Sequence, residues 1–232
     1  MERLICTGKK GDFFTISGSE FKHLKALRIN KGEEIEVFCE DRLFLVRLYE
    51  IKKDHALCTI VREIKVSLPK PEVFLYQCVP TELGLMDEVV DRSSQAGALK
   101  LTPILCKRGF QVREKVEEKI ERWKRISLAS FKQCKRPKPM EISPPIRLED
   151  LKPTVEVPLL LENFTGNLTI REINLKASSY SVVVGPEGGF TKEEVELLKS
   201  RGFLPLLLKP YIFRSEMAGA IAVALIMNLA GI

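Results

Sequence analysis

The feature that most limits how this chain can fold is a change of rhythm at Leu68-Pro69-Lys70-Pro71. Two prolines in three residues hold the backbone extended and rule out a helix across the stretch. Ahead of it lie short segments of strand character, Arg3–Thr7, Asp12–Ser17, Glu34–Cys39, Arg42–Ile51 and Ala56–Ile64, with one short helix at Ser19–Leu27. Strands at that spacing predict a small β-barrel. Behind it, apolar runs at Val73–Val79, Leu101–Cys106, Val157–Leu161, Ser181–Val184 and Phe203–Leu208 alternate with helical stretches at Glu82–Gln95, Lys115–Lys135, Lys192–Arg201 and Glu216–Leu229. That alternation predicts an α/β domain with a buried parallel sheet that binds ligands at the carboxyl ends of its strands. The expected division is a barrel over 1–68, a linker over 69–72 and an α/β domain over 73–232.

Charge narrows the partners. The net charge is +6, yet the segment Lys107–Lys138 alone holds twelve Lys or Arg against four Glu, an excess of eight. A cationic cluster of that kind favours a polyanion, because each neutralised phosphate releases counterions. A solvated helix rich in Lys and Glu explains the same composition. The longest apolar run, Met217–Met227, is too short to span a bilayer and reads as a buried helix, so no membrane partner is expected. The opening Met1-Glu2-Arg3-Leu4 lacks the pattern of a signal peptide, which points to the cytoplasm. The six cysteines are scattered without metal-ligand spacing, so reduced thiols and no metal are expected.

Two stretches carry chemistry. In the first, the apolar run Val182–Val184 enters Gly185-Pro186-Glu187-Gly188-Gly189-Phe190-Thr191, and Thr191 with Glu194 forms a capping box that starts the next helix. Glycines there let a ligand approach main-chain N–H and C=O groups, which suits the edge of a flat adenine. The Walker and Gly-x-Gly-x-x-Gly patterns are absent. A tight strand-to-helix turn with no ligand accounts for the same residues. In the second, Leu206–Leu208 runs through Lys209-Pro210-Tyr211-Ile212-Phe213-Arg214 into a helix N-capped by Ser215, with Glu216 in its first turn. Arg214 stands at a strand-end loop, where ligands bind, or else forms an ion pair with Glu216 or Glu187.

Together these stretches resemble the SPOUT class of RNA methyltransferases, and within it the group that methylates N3 of a uridine in small-subunit (16S) ribosomal RNA. The Gly-Pro-Glu-Gly-Gly turn matches unchanged. The Ile-Leu-Arg-x-Glu-Thr-Ala string reads here Ile212-Phe213-Arg214-Ser215-Glu216-Met217-Ala218, and Lys209 and Tyr211 replace the usual Gly and Arg. Weaker likenesses include Arg92–Ala98 ahead of Pro103, with Gln95 in place of Glu, then Trp123 with Gln133 and Arg136, and His23–Arg28. His23 itself reads as a partly buried helical histidine.

The resemblance implies a deep trefoil knot in the α/β domain, against the general rule on threading, a PUA-like barrel before it, and a homodimer. It implies S-adenosyl-L-methionine as cofactor, held by the loops after Leu161, Val184 and Leu208: Leu161, Glu162, Gly185, Pro186, Glu187, Gly188, Gly189, Leu208, Pro210 and Ile212. Arg214 and Glu216 are the candidate catalytic pair. The RNA candidates are Lys25, Arg28, Arg108, Lys132, Lys135 and Arg136, several facing one groove, with the substrate inside an assembled or assembling 30S subunit. The competing readings are a non-catalytic RNA-binding assembly protein and a methyltransferase acting on transfer RNA.

Overall fold

The stretch expected as a strand over Arg3–Thr7 ends at Ile5, and a further strand starts at Gly8. In the computed structural model, which describes residues 1–163 and 168–230, β1 (Arg3–Ile5) pairs parallel with β4 (Glu34–Cys39), while β2 (Gly8–Lys10) pairs with β3 (Phe13–Ser17). The remaining strands are β5 (Arg42–Ile51) and β6 (His55–Ile64), giving the order β1-β4-β5-β6-β3-β2. The consecutive strands β1 and β2 thus occupy opposite edges of the sheet, and the chain between them closes it into a barrel. Alternate residues Phe14, Ile16, Val37, Val46, Leu48, Ala56 and Cys58 fill the interior. Helix α1 (Gly18–Ala26) adds Phe21 and Leu24 to that core. His23 is exposed on the opposite side of α1, not partly buried as its sequence suggests.

The cysteines need a second correction. Cys6 and Cys39 form a disulfide, with Cα atoms 5.2 Å apart, because the parallel β1–β4 register sets Ile5 beside Phe38 and so Cys6 beside Cys39. Cys58, Cys78, Cys106 and Cys134 are free thiols. Burial pushes the Cys58 thiol up to about 12.

Residues Met1–Leu68 and Pro69–Ile232 form separate compact units. The second is built on β7 (Glu72–Cys78), β8 (Lys100–Leu105), β9 (Glu141–Ile142), β10 (Ile146–Arg147), β11 (Val157–Leu161), β12 (Ser179–Val184) and β13 (Leu204–Leu206). All pair in parallel in the order β10-β8-β7-β12-β11-β13, with β9 beside β8. The short strands β9 and β10 have no sequence signal, since two residues carry no periodicity. β13 is shorter than the apolar run Phe203–Leu208. It lies at the edge, where Pro205 can sit without costing a ladder hydrogen bond.

Helices cover both faces. On one, α2 (Met86–Ala96) packs on α4 (Ile120–Cys134) and α6 (Ser215–Ala230) over Val73, Leu75, Leu101 and Val182. On the other, Val195 and Leu198 of α5 (Lys192–Ser200) join Cys78, Ile104, Leu160 and Val183. The helix expected over Lys115–Lys135 is divided into α3 (Arg113–Glu117) and α4 by a tight turn, with Lys119 N–H donating to the Val116 carbonyl. Trp123, Ser127, Ser130 and Phe131 then recur at helical spacing as the buried stripe of α4. A Cβ on Gly219 would lie 3.0 Å from Leu75, so this glycine lets α6 press against the sheet. No helix among the described residues is long and apolar enough to cross a membrane.

Candidate active site

A parallel sheet carries all its strand-end loops on one side, and here those loops enclose a cavity of about 720 Å³. Its wall takes Leu161, Glu162 and Asn163 from the loop after β11, Val184–Phe190 from that after β12, and Leu206, Leu208 and Ile212–Glu216 around β13 and the start of α6. Every expected cofactor residue except Pro210 lines it. Pro210 is exposed on the neighbouring loop. Residues 164–167, part of the expected loop after Leu161, lie outside the described residues.

The Gly-rich turn is set by its own chain and by two neighbours. Gly189 N–H donates to the Pro186 carbonyl at 2.8 Å, and Gly189 takes φ +67°, a left-handed angle that disfavours any side chain. Glu187 accepts from the backbone N–H and the hydroxyl of Thr81, at 3.2 and 3.3 Å. From the loop after β8, Arg108 donates to the carbonyls of Gly188 (2.8 Å) and Phe190 (3.4 Å). The predicted capping box is present: Thr191 N–H donates to Glu194 at 2.8 Å, and Glu194 N–H donates back to the Thr191 hydroxyl. Glu194 also accepts from Lys107 N–H at 2.8 Å, tying the same loop to α5. Gly109 completes that loop, since a Cβ there would stand 2.5 Å from the Val79 carbonyl oxygen.

Across the cavity, the Arg214 carbonyl accepts from Met217 and Ala218 N–H, which makes Arg214 the cap residue and Ser215 the first helical one. Ser215 is therefore not the N-cap its sequence position suggests. Its hydroxyl oxygen is buried without a hydrogen-bond partner. The Arg214 guanidinium is exposed at the cavity wall and has no ion pair or hydrogen bond among the described residues. Glu187 is engaged by Thr81 instead, and Glu216 does not pair with Arg214. Glu216 is only 8% exposed, lines the cavity, and its carboxylate has no partner among the described residues. Unengaged among the described residues, the carboxylate stays open to the cavity.

The expected RNA residues fall in both units. Lys25 reaches over the Phe21 ring at 4.4 Å, and Arg28 is exposed after α1. Arg108 stands in the loop after β8, whereas Lys132 lies in the last turn of the 15-residue α4 and Lys135 and Arg136 follow its end. Arg136 donates to the carbonyls of Ser94 and Ala98, at 2.7 Å each, and its burial lowers its pKa. Several cations of the segment are paired, Arg113 with Glu117 and Lys124 with Glu121 inside it, and Arg122 with Asp87 outside it. The Arg108 and Thr81 tethers have no signal in the sequence, because both cross from separate loops.

The chain whose strand-end loops form this cavity has the fold of the SPOUT class of RNA methyltransferases, and the RNA methyltransferase domain family matches residues 67–227. The ribosomal RNA small subunit methyltransferase E of Aquifex aeolicus is 40% identical over 220 residues, 95% of this chain and 96% of that protein. The chain belongs to the ribosomal RNA small subunit methyltransferase E family. A protein from Legionella pneumophila described as a methyltransferase, solved with bound cofactor SAM, is 26% identical with a TM-score of 0.85, covering 97% of this chain and 96% of that one. The fold is shared by the ribosomal RNA small subunit methyltransferase E of Neisseria gonorrhoeae, with TM-score 0.84 and 23% identity over 99% of this chain and 98% of that one.

The Arg108 tether yields a prediction. Arg108→Ala removes two hydrogen bonds that hold the Gly-rich turn, so the KM for cofactor should rise about 3- to 10-fold with a smaller change in kcat. Steady-state kinetics at saturating RNA measure this. An unchanged cofactor KM with weakened RNA binding would return Arg108 to the RNA surface.

Proposed function

We propose that this chain transfers a methyl group from S-adenosylmethionine to N3 of a uridine in small-subunit (16S) ribosomal RNA. The observation that carries this reading is the presence, on one cavity wall, of Arg214 and Glu216, neither side chain having a partner among the described residues. The cavity volume lies in the range of small-molecule sites. Its glycine edge has no side chains at 185, 188 and 189 to keep an adenine off the backbone, so the residues present suit the cofactor. Backbone of the Gly185–Gly189 turn and of the loops after Leu161 and Leu208, with Glu162 and Ile212, would hold it, and Pro210 shapes the last of these loops. When bound, S-adenosylmethionine supplies a methyl group on a positively charged sulfur.

Neutral uracil holds a proton on N3 and is a weak nucleophile, so that proton must leave before or during attack. Arg214 stabilises the charge that develops on the uracil carbonyls. Glu216 accepts the N3 proton. Holding both reactants in register contributes about 7–11 kcal/mol in well-oriented cases.

The barrel of 1–68 serves as an RNA-docking unit through Lys25 and Arg28, and Lys132 and Lys135 add phosphate contacts of their own. The exposed Met217, Leu225 and Leu229 of α6 favour a homodimer. The substrate is the RNA within an assembled or assembling 30S subunit, in the cytoplasm. Incubation with labelled S-adenosylmethionine and isolated small subunits, naked ribosomal RNA or transfer RNA, followed by nucleoside analysis, tests the assignment. 3-Methyluridine from small-subunit RNA is expected. Label in transfer RNA alone would change the substrate, and no label with no heat of cofactor binding would leave an RNA binder.

The basic end of α4 has its own test. Lys132→Ser with Lys135→Ser should reduce the slope of log affinity against log salt by about 0.7 for each phosphate no longer neutralised, with cofactor affinity unchanged. Arg136 is left in place because its bonds to Ser94 and Ala98 brace α4. An unaltered slope would make this end of α4 a solvated face.

A further inference from the structure

The barrel carries an exposed aromatic pair that its core does not require. Phe14 and Ile16 of β3 and Val46 and Leu48 of β5 point inward, whereas Phe13 and Tyr49 face out. Their ring centroids are 5.4 Å apart with planes inclined by 57°. Tyr49 leaves 51% of its surface exposed. The alternation of β5 turns Tyr49 outward, and it sits at a β-bulge: pairing runs from Leu48↔Cys58 to Glu50↔Leu57, so Tyr49 is the extra residue with no partner on β6. Bulges re-aim side chains, often beside functional surfaces.

Cations surround the pair. Lys10 is directly opposite Phe13, which is opposite Thr59, which is opposite Arg47. Residues facing each other in an antiparallel ladder project from the same side, so Lys10 and Arg47 flank the Phe13 ring. Lys31 holds its ammonium 5.6 Å from the Tyr49 ring centroid. Arg47 is paired with Glu34 at 2.7 Å, but Lys10 and Lys31 have no acidic partner among the described residues.

We propose that Phe13, Tyr49, Lys10 and Lys31 form a stacking site for an unpaired base of single-stranded RNA, distinct from the cavity that takes the target uridine. An exposed ring offers its face to a base, and the two ammonium groups, neither with an acidic partner among the described residues, meet the phosphates on either side. An A-form duplex presents base edges but not faces, so the occupant is unpaired. A purely apolar ligand leaves the lysines unused, and a bare anion leaves the rings unused. The site deepens the RNA reading above and rests on it.

The test uses the full chain and a short labelled oligouridylate, compared with a ribose-phosphate oligomer of equal length that lacks bases. Tyr49→Leu, which keeps an apolar side chain on the barrel, should weaken oligouridylate binding about 5- to 20-fold and leave the baseless oligomer unaffected. Tyr49→Phe keeps the ring and should retain the affinity, and Lys31→Gln should weaken both ligands. The KM for small-subunit RNA should rise in Tyr49→Leu with kcat unchanged. Equal binding of the two oligomers by the unaltered chain, or no loss in Tyr49→Leu, overturns the site. Failure of the unaltered chain to methylate small-subunit RNA would instead overturn the enzymatic reading, whatever the binding data give.

Discussion

Arg214→Ala is expected to lower turnover by about 10²–10³-fold, the scale seen when a donor to a developing anion is removed. The arginine suits this role because nothing else holds it: among the described residues it makes no ion pair, and it stands on the cavity wall one residue from the start of α6. Its fork can meet a uracil carbonyl without first breaking an internal contact. Cofactor affinity by calorimetry should change little, since the glycine edge belongs to a different loop. Glu216→Gln should also lower turnover and should change its dependence on pH, because the amide cannot accept the N3 proton. Near-normal turnover in Arg214→Ala would remove it from the chemistry. A pH profile unaltered by Glu216→Gln would assign proton removal to another group.

Gly189→Val should be the most damaging change at the cofactor edge. At φ +67° a β-branched residue is strained by about 1–3 kcal/mol, and the turn either relaxes or carries that strain. Since the bound form needs the turn intact, cofactor affinity should fall about 5- to 150-fold. Gly188→Ala is the control. Its Cβ would sit 3.5 Å from the stem of Arg108, an ordinary contact, and its φ is not left-handed. Calorimetry on both variants, with thermal melts to compare stability, separates the two positions. Equal losses would mean that bulk at the turn matters and backbone angle does not.

The contrast between these glycines could not be read from Gly185-Pro186-Glu187-Gly188-Gly189 as a string, which treats them alike. Nor could the fate of Arg108 and Arg136. Both read as members of one basic cluster, yet each guanidinium is turned onto backbone carbonyls, Arg108 onto Gly188 and Phe190, Arg136 onto Ser94 and Ala98. Composition records a charge but not what accepts it.

Local chemistry was legible where a pattern along the chain sets it, though not at Ser215, which is the first residue of α6 and not its N-cap. The strands Glu34–Cys39, Arg42–Ile51 and Val157–Leu161 follow from alternation or unbroken apolar runs, and the Thr191 capping box from a three-residue spacing. The break at Pro69–Pro71 follows from fixed proline angles, and the Gly-rich turn with the Arg214–Glu216 string identified the family before any fold was known. What only the tertiary structure decided are the contacts between segments far apart in sequence. These are the closure of the barrel through β1 and β2, the Cys6–Cys39 bond, the tethers from Thr81 and Arg108, and the exposure of Tyr49 at its bulge. Periodicity reports which face of an element is buried, because that depends on steps of two or about four residues along one chain. It carries no information about which distant loop supplies a hydrogen bond, because that partner is set by how the strands are ordered in the sheet.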